Sequence, residues 1–151
     1  MMLANDEYFA KDFANRTRSN YQRHKQFTEY EVTFLINSAV GMLIVPKEKY
    51  QKKISDDQLE PELLEKLKSC VAENSYSEKI SLKFMTKHMR NAIAHGHIEF
   101  AAEKQPQNGK PLKIHNVTFR DSGDYGSCVI TMSVELLEEF FLAFSDAITK
   151  L

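Results

Sequence analysis

The sequence predicts a mainly α fold: a helical bundle that carries one small β-hairpin before its C-terminal helix. Three observations predict it. Val32, Leu35, Ile36, Ala39, Val40, Leu43 and Ile44 recur at helical spacing, and so do Leu136, Leu137, Phe140, Phe141, Phe144 and Ile148 near the end of the chain. Only between 112 and 134 does the period change, where Cys128, Ile130, Met132 and Val134 alternate with smaller or polar residues as a strand requires. The length of 151 residues leads us to expect one domain over 1–151, because a domain holds roughly 100–200 residues.

Taken in order, Asn5 or Asp6 caps a first helix whose apolar residues Tyr8, Phe9, Phe13 and Tyr21 are loosely spaced, and whose later turns carry Arg16, Arg18, Arg23, His24 and Lys25. Thr28 and Glu31 have capping-box spacing and open the second helix, which Pro46 is expected to end. Within it Asn37, Ser38 and Gly41 read as positions of close helix packing, with a cleft-facing Asn37 as the alternative. A basic connector over 47–53 leads to Ser55-Asp56-Asp57 and a third amphipathic helix marked by Leu59, Leu63, Leu64, Leu67 and Val71. The fourth helix covers 80–95 and stops at Gly96, where a left-handed residue would sit. Residues 104–111 hold two prolines and a glycine and read as loop. The β-rich runs 112–119 and 127–134, joined by 121–126, form the hairpin, and Ser133 caps the last helix.

Composition narrows the function classes. A hydrophobic content of 42% supplies enough apolar side chain to offset chain entropy, which excludes disorder. Twenty basic and 21 acidic side chains leave a net charge of −1, so attraction of the whole molecule to nucleic acid or anionic lipid is excluded and any such contact must come from a local patch. Cys70 and Cys128 lie far apart with no metal-ligand spacing around them; they read as small buried or half-buried residues, and no metal is expected. The longest apolar run, 39–45, falls far short of the ~18–20 residues of a bilayer span, so no membrane partner is expected. The first residues turn acidic too early for a secretory signal, which leaves the cytoplasm as the expected compartment. A Gly-rich phosphate loop, a Gly-x-Ser-x-Gly elbow and a His-Glu-x-x-His pair are all missing, so common hydrolases and nucleotide triphosphatases have no support and no cofactor is expected.

The fourth helix carries the chemistry. With ~100° per residue and Ile80 at zero, Leu82, Met85, Met89, Ala92 and Ile93 fall between ~120° and ~220° and define a core-facing arc. Arg90 at ~280°, Ala94 at ~320°, Asn91 at ~20° and His95 at ~60° share the arc turned away from it. Lys79, Lys83 and Lys87 form a basic ladder toward Arg90. Lysine stripes are commonly just solvated surface, but this one ends in a guanidinium, an amide and an imidazole, with the small Ala94 permitting close approach of another helix. Arg90 and His95 are ~140° apart around the axis and ~7.5 Å apart along it, so within one helix they converge only in part. Two copies across a two-fold axis would close the site.

Arg90-Asn91-Ala92-Ile93-Ala94-His95 resembles the signature of HEPN domains (higher eukaryotes and prokaryotes nucleotide-binding), an arginine followed after four to six residues by a histidine, often with a polar residue directly after the arginine. Residues 15–21, 30–38 with Gly41 and Pro46, 89–98 and 130–137 come in the order of one bacterial and plasmid-borne HEPN subgroup, so the resemblance covers most of the chain. It implies a helical domain that dimerises with both motifs lining one cleft. In active members it also implies a metal-independent endoribonuclease, in which the RNA 2′-hydroxyl attacks its own phosphodiester and leaves a 2′,3′-cyclic phosphate. On the matching positions His95 is the general acid/base, Arg90 holds the phosphate, and Asn91 orients one or the other. The implied partners are RNA, a second copy of the chain and, as a further candidate, an antitoxin or inhibitor protein, in a defence, toxin or stress role. Lys83, Lys87, Arg16, Arg18 and Arg23 are candidate RNA contacts, with solvated helix surface as the alternative, and His97 is a further candidate; His88 and His97 read either as auxiliary phosphate contacts or as ordinary surface or half-buried histidines. Family members modified by a partner nucleotidyltransferase carry tyrosine two positions after the histidine. Here His97 stands there, which disfavours that regulation. A non-catalytic dimer serving as an RNA-, nucleotide- or protein-binding scaffold is the alternative function.

Overall fold

Six α-helices and a four-stranded antiparallel sheet make up the structure, a computed structural model that describes residues 6–102, 109 and 112–151. The helices are α1 (Asp6–His24), α2 (Glu31–Ala39), α3 (Val45–Tyr50), α4 (Pro61–Ser69), α5 (Leu82–Ala94) and α6 (Val134–Thr149). The strands β1 (Val71–Asn74), β2 (Ile98–Ala102), β3 (Ile114–Gly123) and β4 (Gly126–Ser133) lie in the order β1-β4-β3-β2. Two expected features, the Asn5 cap and the loop over 104–111, fall outside the described residues apart from Gly109.

The amphipathic stripes read from the sequence do form the core. Leu137, Phe140, Phe141, Phe144 and Ile148 of α6 are all buried, against Ala10, Ala14 and Tyr21 of α1 and Leu35, Met42 and Leu43 of the second helical segment. Each fully buried side chain of this size contributes about 1.5–3 kcal/mol. Ser133 caps α6 as expected, its Oγ accepting from the Leu136 N–H at 3.1 Å. Cys128 is buried and Cys70 half-buried, both as free thiols. No helix among the described residues is long and apolar enough to cross a membrane.

The strand content is larger than the small hairpin expected. The hairpin is longer than its hydrophobic runs indicate: Gly123 pairs with Gly126, and only Asp124 and Tyr125 remain as the turn. Val71, placed by its spacing in the third helix, instead opens β1, an edge strand pairing with Ile130 on β4. The other edge strand, β2, pairs with β3 from Ile98 opposite Phe119. Both edges are short and mostly exposed, so they lack the alternation by which a half-buried strand is recognised.

Local signals at helix ends also differ. Thr28 and Glu31 form no capping box, for Tyr30 is the residue before α2 and makes no side-chain cap bond. The reciprocal box forms instead between Ser55 and Gln58. The helix expected from residue 80 starts at Leu82 behind Ser81, whose Oγ accepts from Phe84 N–H at 3.2 Å. Pro46 does not stop the second helix. A π turn over Val40–Ile44 precedes it, with the Val45 N–H bonded to Val40 O, five residues back. The widened turn accommodates the proline ring, which would meet a carbonyl in a regular helix, and the helical path continues through α3 to the buried Tyr50.

Of the three small or polar residues expected at a tight contact, Gly41 makes one. Asn37 is exposed, and half-buried Ser38 donates to Phe34 O of its own helix at 2.9 Å. A Cβ at Gly41 would stand 1.9 Å from Thr17 Oγ1 and 2.6 Å from Thr17 Cβ, so any side chain there pushes α1 off the π turn. Gly41→Ala is expected to cost about 1–3 kcal/mol, the usual range for overpacking. Thermal unfolding reads this as a melting temperature lower by several degrees, in part restored by Thr17→Gly. An unshifted melting temperature for Gly41→Ala would show that the close approach carries no stability.

Candidate functional site

Helix α5 ends in a Schellman motif. Gly96 takes φ of +71°, the His97 N–H bonds Ala92 O at 2.8 Å and the Gly96 N–H bonds Ile93 O at 3.2 Å. This termination holds the backbone of His95 at the cap and leaves its imidazole exposed. The exposed His97 ring stands 6.0 Å from it. One turn back the helix presents Asn91 and Arg90, both half-buried.

Arg90 is positioned from two sides. Its Nη1 donates to Asn91 Oδ1 at 3.1 Å, and its Nε lies 3.0 Å from Glu48 Oε1 on α3. The Nε–H does not point at that carboxylate oxygen and has no hydrogen-bond acceptor, so the Glu48 contact is an ion pair without a directed bond. The Arg90 side chain is 32% exposed, and its terminal nitrogens keep donor capacity beyond the Asn91 bond.

Asn91 is the junction between Arg90 and a buried polar chain. Its Nδ2 donates to Asp121 Oδ2 at 3.1 Å, which fixes the orientation of the amide, since the other end receives the Arg90 bond. The same Asp121 oxygen is 2.6 Å from His88 Nδ1, and His88 Nε2 is 2.8 Å from Glu78 Oε1. Both ring nitrogens thus face carboxylate oxygens, so the ring is held from two sides. Tyr76 stacks on the ring at 4.5 Å between centroids and Phe84 tilts against it at 4.4 Å. His88 is 1% exposed, which corrects its reading as a surface or half-buried histidine or phosphate contact. Its role is to hold Asp121, and through it Asn91.

The cause is a wider burial of α5 than the core arc of the sequence predicts. Phe84 at ~40° and His88 at ~80° lie on the same side of α5 as Asn91 and His95. Both are buried because β3 and Tyr76 cover that side of the N-terminal half. The cover ends at the last turn, where Asn91 is partly open and His95 fully so.

The clamp shows in the acid–base behaviour around it. Desolvation pushes the Glu78 carboxyl up, but the hydrogen bonds from His88 and Lys87 outweigh it and hold the group below its ordinary value. Burial, with the negative charges of Asp121 and Glu78, pushes the Cys128 thiol up to about 11. Cys128 is consequently a neutral core residue and not a nucleophile.

The remaining predicted positions divide. Lys87 pairs with Glu78 at 3.2 Å, and together with Lys83 it lines an open pocket of about 300 Å³ between α3 and α5. Arg18 is tied to other groups: its Nη1 donates to Ser145 Oγ at 3.4 Å, and its Nη2 is 2.7 Å from Asn15 Oδ1 and 3.7 Å from Asp146. Arg16 pairs with Asp12 at 3.0 Å on the exposed side of α1. Among the described residues no hydrogen bond or ion pair joins either arginine to α5, so Arg90, Asn91 and His95 share one helix end while Arg16 and Arg18 belong to another face. Glu48, Glu78 and Asp121 are site residues that sequence reasoning missed. Only Asp121 left a signal: Val117, Phe119 and Asp121 alternate on one face of β3, and a carboxylate on the core face of a strand demands a partner.

A family model described as HEPN pEK499 p136 matches residues 1–151. No curated protein and no solved structure matches the chain.

Proposed function

Because the chain belongs to the HEPN pEK499 p136 family, we propose that it is a metal-independent endoribonuclease whose site is closed by two copies of the α5 motif. The observation that carries this reading is the helix end itself: an exposed imidazole at position 95, and a half-buried arginine at position 90 held by Asn91 and Glu48. His95 of one copy takes the proton of the 2′-hydroxyl as its oxygen bonds to phosphorus. The bond to the 5′-oxygen breaks, His95 of the other copy protonates that leaving oxygen, and the products are a 2′,3′-cyclic phosphate and a 5′-hydroxyl. Arg90 binds the non-bridging oxygens, where negative charge grows in the transition state. Two copies are required because Arg90 is engaged with α3 while His95 stands exposed at the cap, and among the described residues no hydrogen bond or ring contact joins the two side chains. The activity belongs in the cytoplasm, in a defence, toxin or stress role.

The test uses purified protein and single-stranded and structured RNA in EDTA. The expected result is cleavage with cyclic phosphate ends, and light scattering that gives twice the chain mass at micromolar concentration. Binding without cleavage would replace the nuclease by the scaffold reading, and a strict monomer that still cleaves would remove the shared site.

A further inference from the structure

The pocket between α3 and α5 is more basic than packing requires. Lys83 and Lys87, one turn apart on α5, share it with Lys47 and Lys52 from the α3 side. Among the described residues Glu78 is the one acidic side chain that lines it, and its Oε1 is already taken by His88 and Lys87. Lys52 and Lys83 have no ion pair among the described residues. Cations gathered this way in a chain of net charge −1 repel one another, and an anion in the pocket relieves that repulsion.

The pocket is also one carboxylate away from Arg90. Glu48 Oε1 lies 3.3 Å from Lys47 Nζ and 3.0 Å from Arg90 Nε, so a single oxygen bridges the pocket wall and the guanidinium. A strand whose reacting phosphate sits on Arg90 has its neighbouring phosphate within reach of Lys47. We propose that the Lys47, Lys52, Lys83 and Lys87 pocket is a subsite for a backbone phosphate of the RNA strand, adjacent to the phosphate that Arg90 engages. It rests on the reading of RNA as the substrate, and it adds α3 to a surface that the α5 lysines alone do not enclose.

The probe is a fluorescent 2′-O-methyl oligoribonucleotide, which keeps every phosphate but has no nucleophilic 2′-hydroxyl, so binding is read without cleavage. A Lys52→Gln/Lys83→Gln variant is expected to bind about tenfold more weakly. Its dependence of log affinity on log salt should flatten by roughly 0.7, since each phosphate neutralised on a single strand contributes about that much. A control that removes the same charge outside the pocket, Lys66→Gln/Lys113→Gln, should leave both nearly unchanged. Equal losses in the two variants, or no binding by the wild type at low salt, overturns the subsite. So does a nucleoside monophosphate that competes as well as the oligomer at equal phosphate concentration, because the pocket would then be a free-nucleotide site. A parallel assay with ordinary RNA separates the two proposals. Wild type that binds as expected but never cleaves removes the nuclease and keeps the subsite; cleavage with unchanged binding in the double variant removes the subsite alone.

Discussion

His95→Ala is expected to abolish RNA cleavage and leave the fold intact. The imidazole is exposed, and its ring neighbour His97 is 6.0 Å away; what the fold uses at this position is backbone, the His95 N–H bonding Asn91 O at 3.0 Å. Alanine keeps that bond and costs within about 0.5 kcal/mol, as for most exposed substitutions. The chemical step, in contrast, loses its proton acceptor and donor together, which is worth about 10²–10⁴ in rate. Single-turnover cleavage in EDTA beside a thermal melt separates the two effects. Arg90→Lys is the companion variant: it keeps the charge beside Glu48 but loses the planar fork that grips two phosphate oxygens, so cleavage falls while expression and melting stay close to wild type. Undiminished cleavage by His95→Ala would move the acid–base role to another group, and His97 is the nearest imidazole.

How much of this could be read in advance differs from element to element for physical reasons. The α6 stripe and its Ser133 cap are local patterns, and both appear where periodicity places them. Gly96 is likewise local, because a left-handed residue is needed wherever an α-helix closes in a Schellman motif. The sheet is not local. Val71–Asn74 and Ile98–Ala102 are strands because β4 and β3 lie beside them, and their exposed side chains record nothing of that pairing. Pro46 misleads because the rule that proline ends a helix assumes a regular ladder, and the π turn ahead of it is not one. The site divides in the same way. Arg90, Asn91 and His95 are visible as a spacing on one helix. Their supports are not, for α4 and β1 lie between Glu48 on α3 and Arg90 on α5, and Asp121 is 33 residues from His88. Asp121 also interrupts the apolar alternation of β3 with a charge, which makes the end of the strand look like the start of a turn.

Asp121→Ala is expected to be the most damaging single substitution in the buried chain of hydrogen bonds. It removes the carboxylate from Nδ1 of the His88 ring, which packs against Tyr76 and Phe84, and at the same time frees the Asn91 amide. Leaving a buried polar group without its partner costs about 1–3 kcal/mol; two groups lose theirs here, so about 2–4 kcal/mol is the expectation. At about 2–4 °C per kcal/mol for a chain of this size, the melting temperature falls by roughly 5–15 °C. Because the cost arises from leaving a partner unpaired, removing both is cheaper: His88→Phe/Asp121→Leu should lose less than the sum of the single variants. Additive losses would mean the two side chains do not support one another. The Asn91 side-chain amide signals give an independent readout, shifting in Asp121→Ala if that carboxylate orients the amide. Acid probes the other end of the clamp. Glu78 is held below its ordinary value of 4.5, so it binds a proton less readily in the folded chain than in the unfolded one. Its contribution is complete above that ordinary value and is lost as pH falls through the lowered folded value. Glu78→Gln should therefore flatten the acid limb of the stability profile, while an unchanged limb would place the acid sensitivity in other carboxylates, such as Glu138 and Asp146, which are lowered in the same direction.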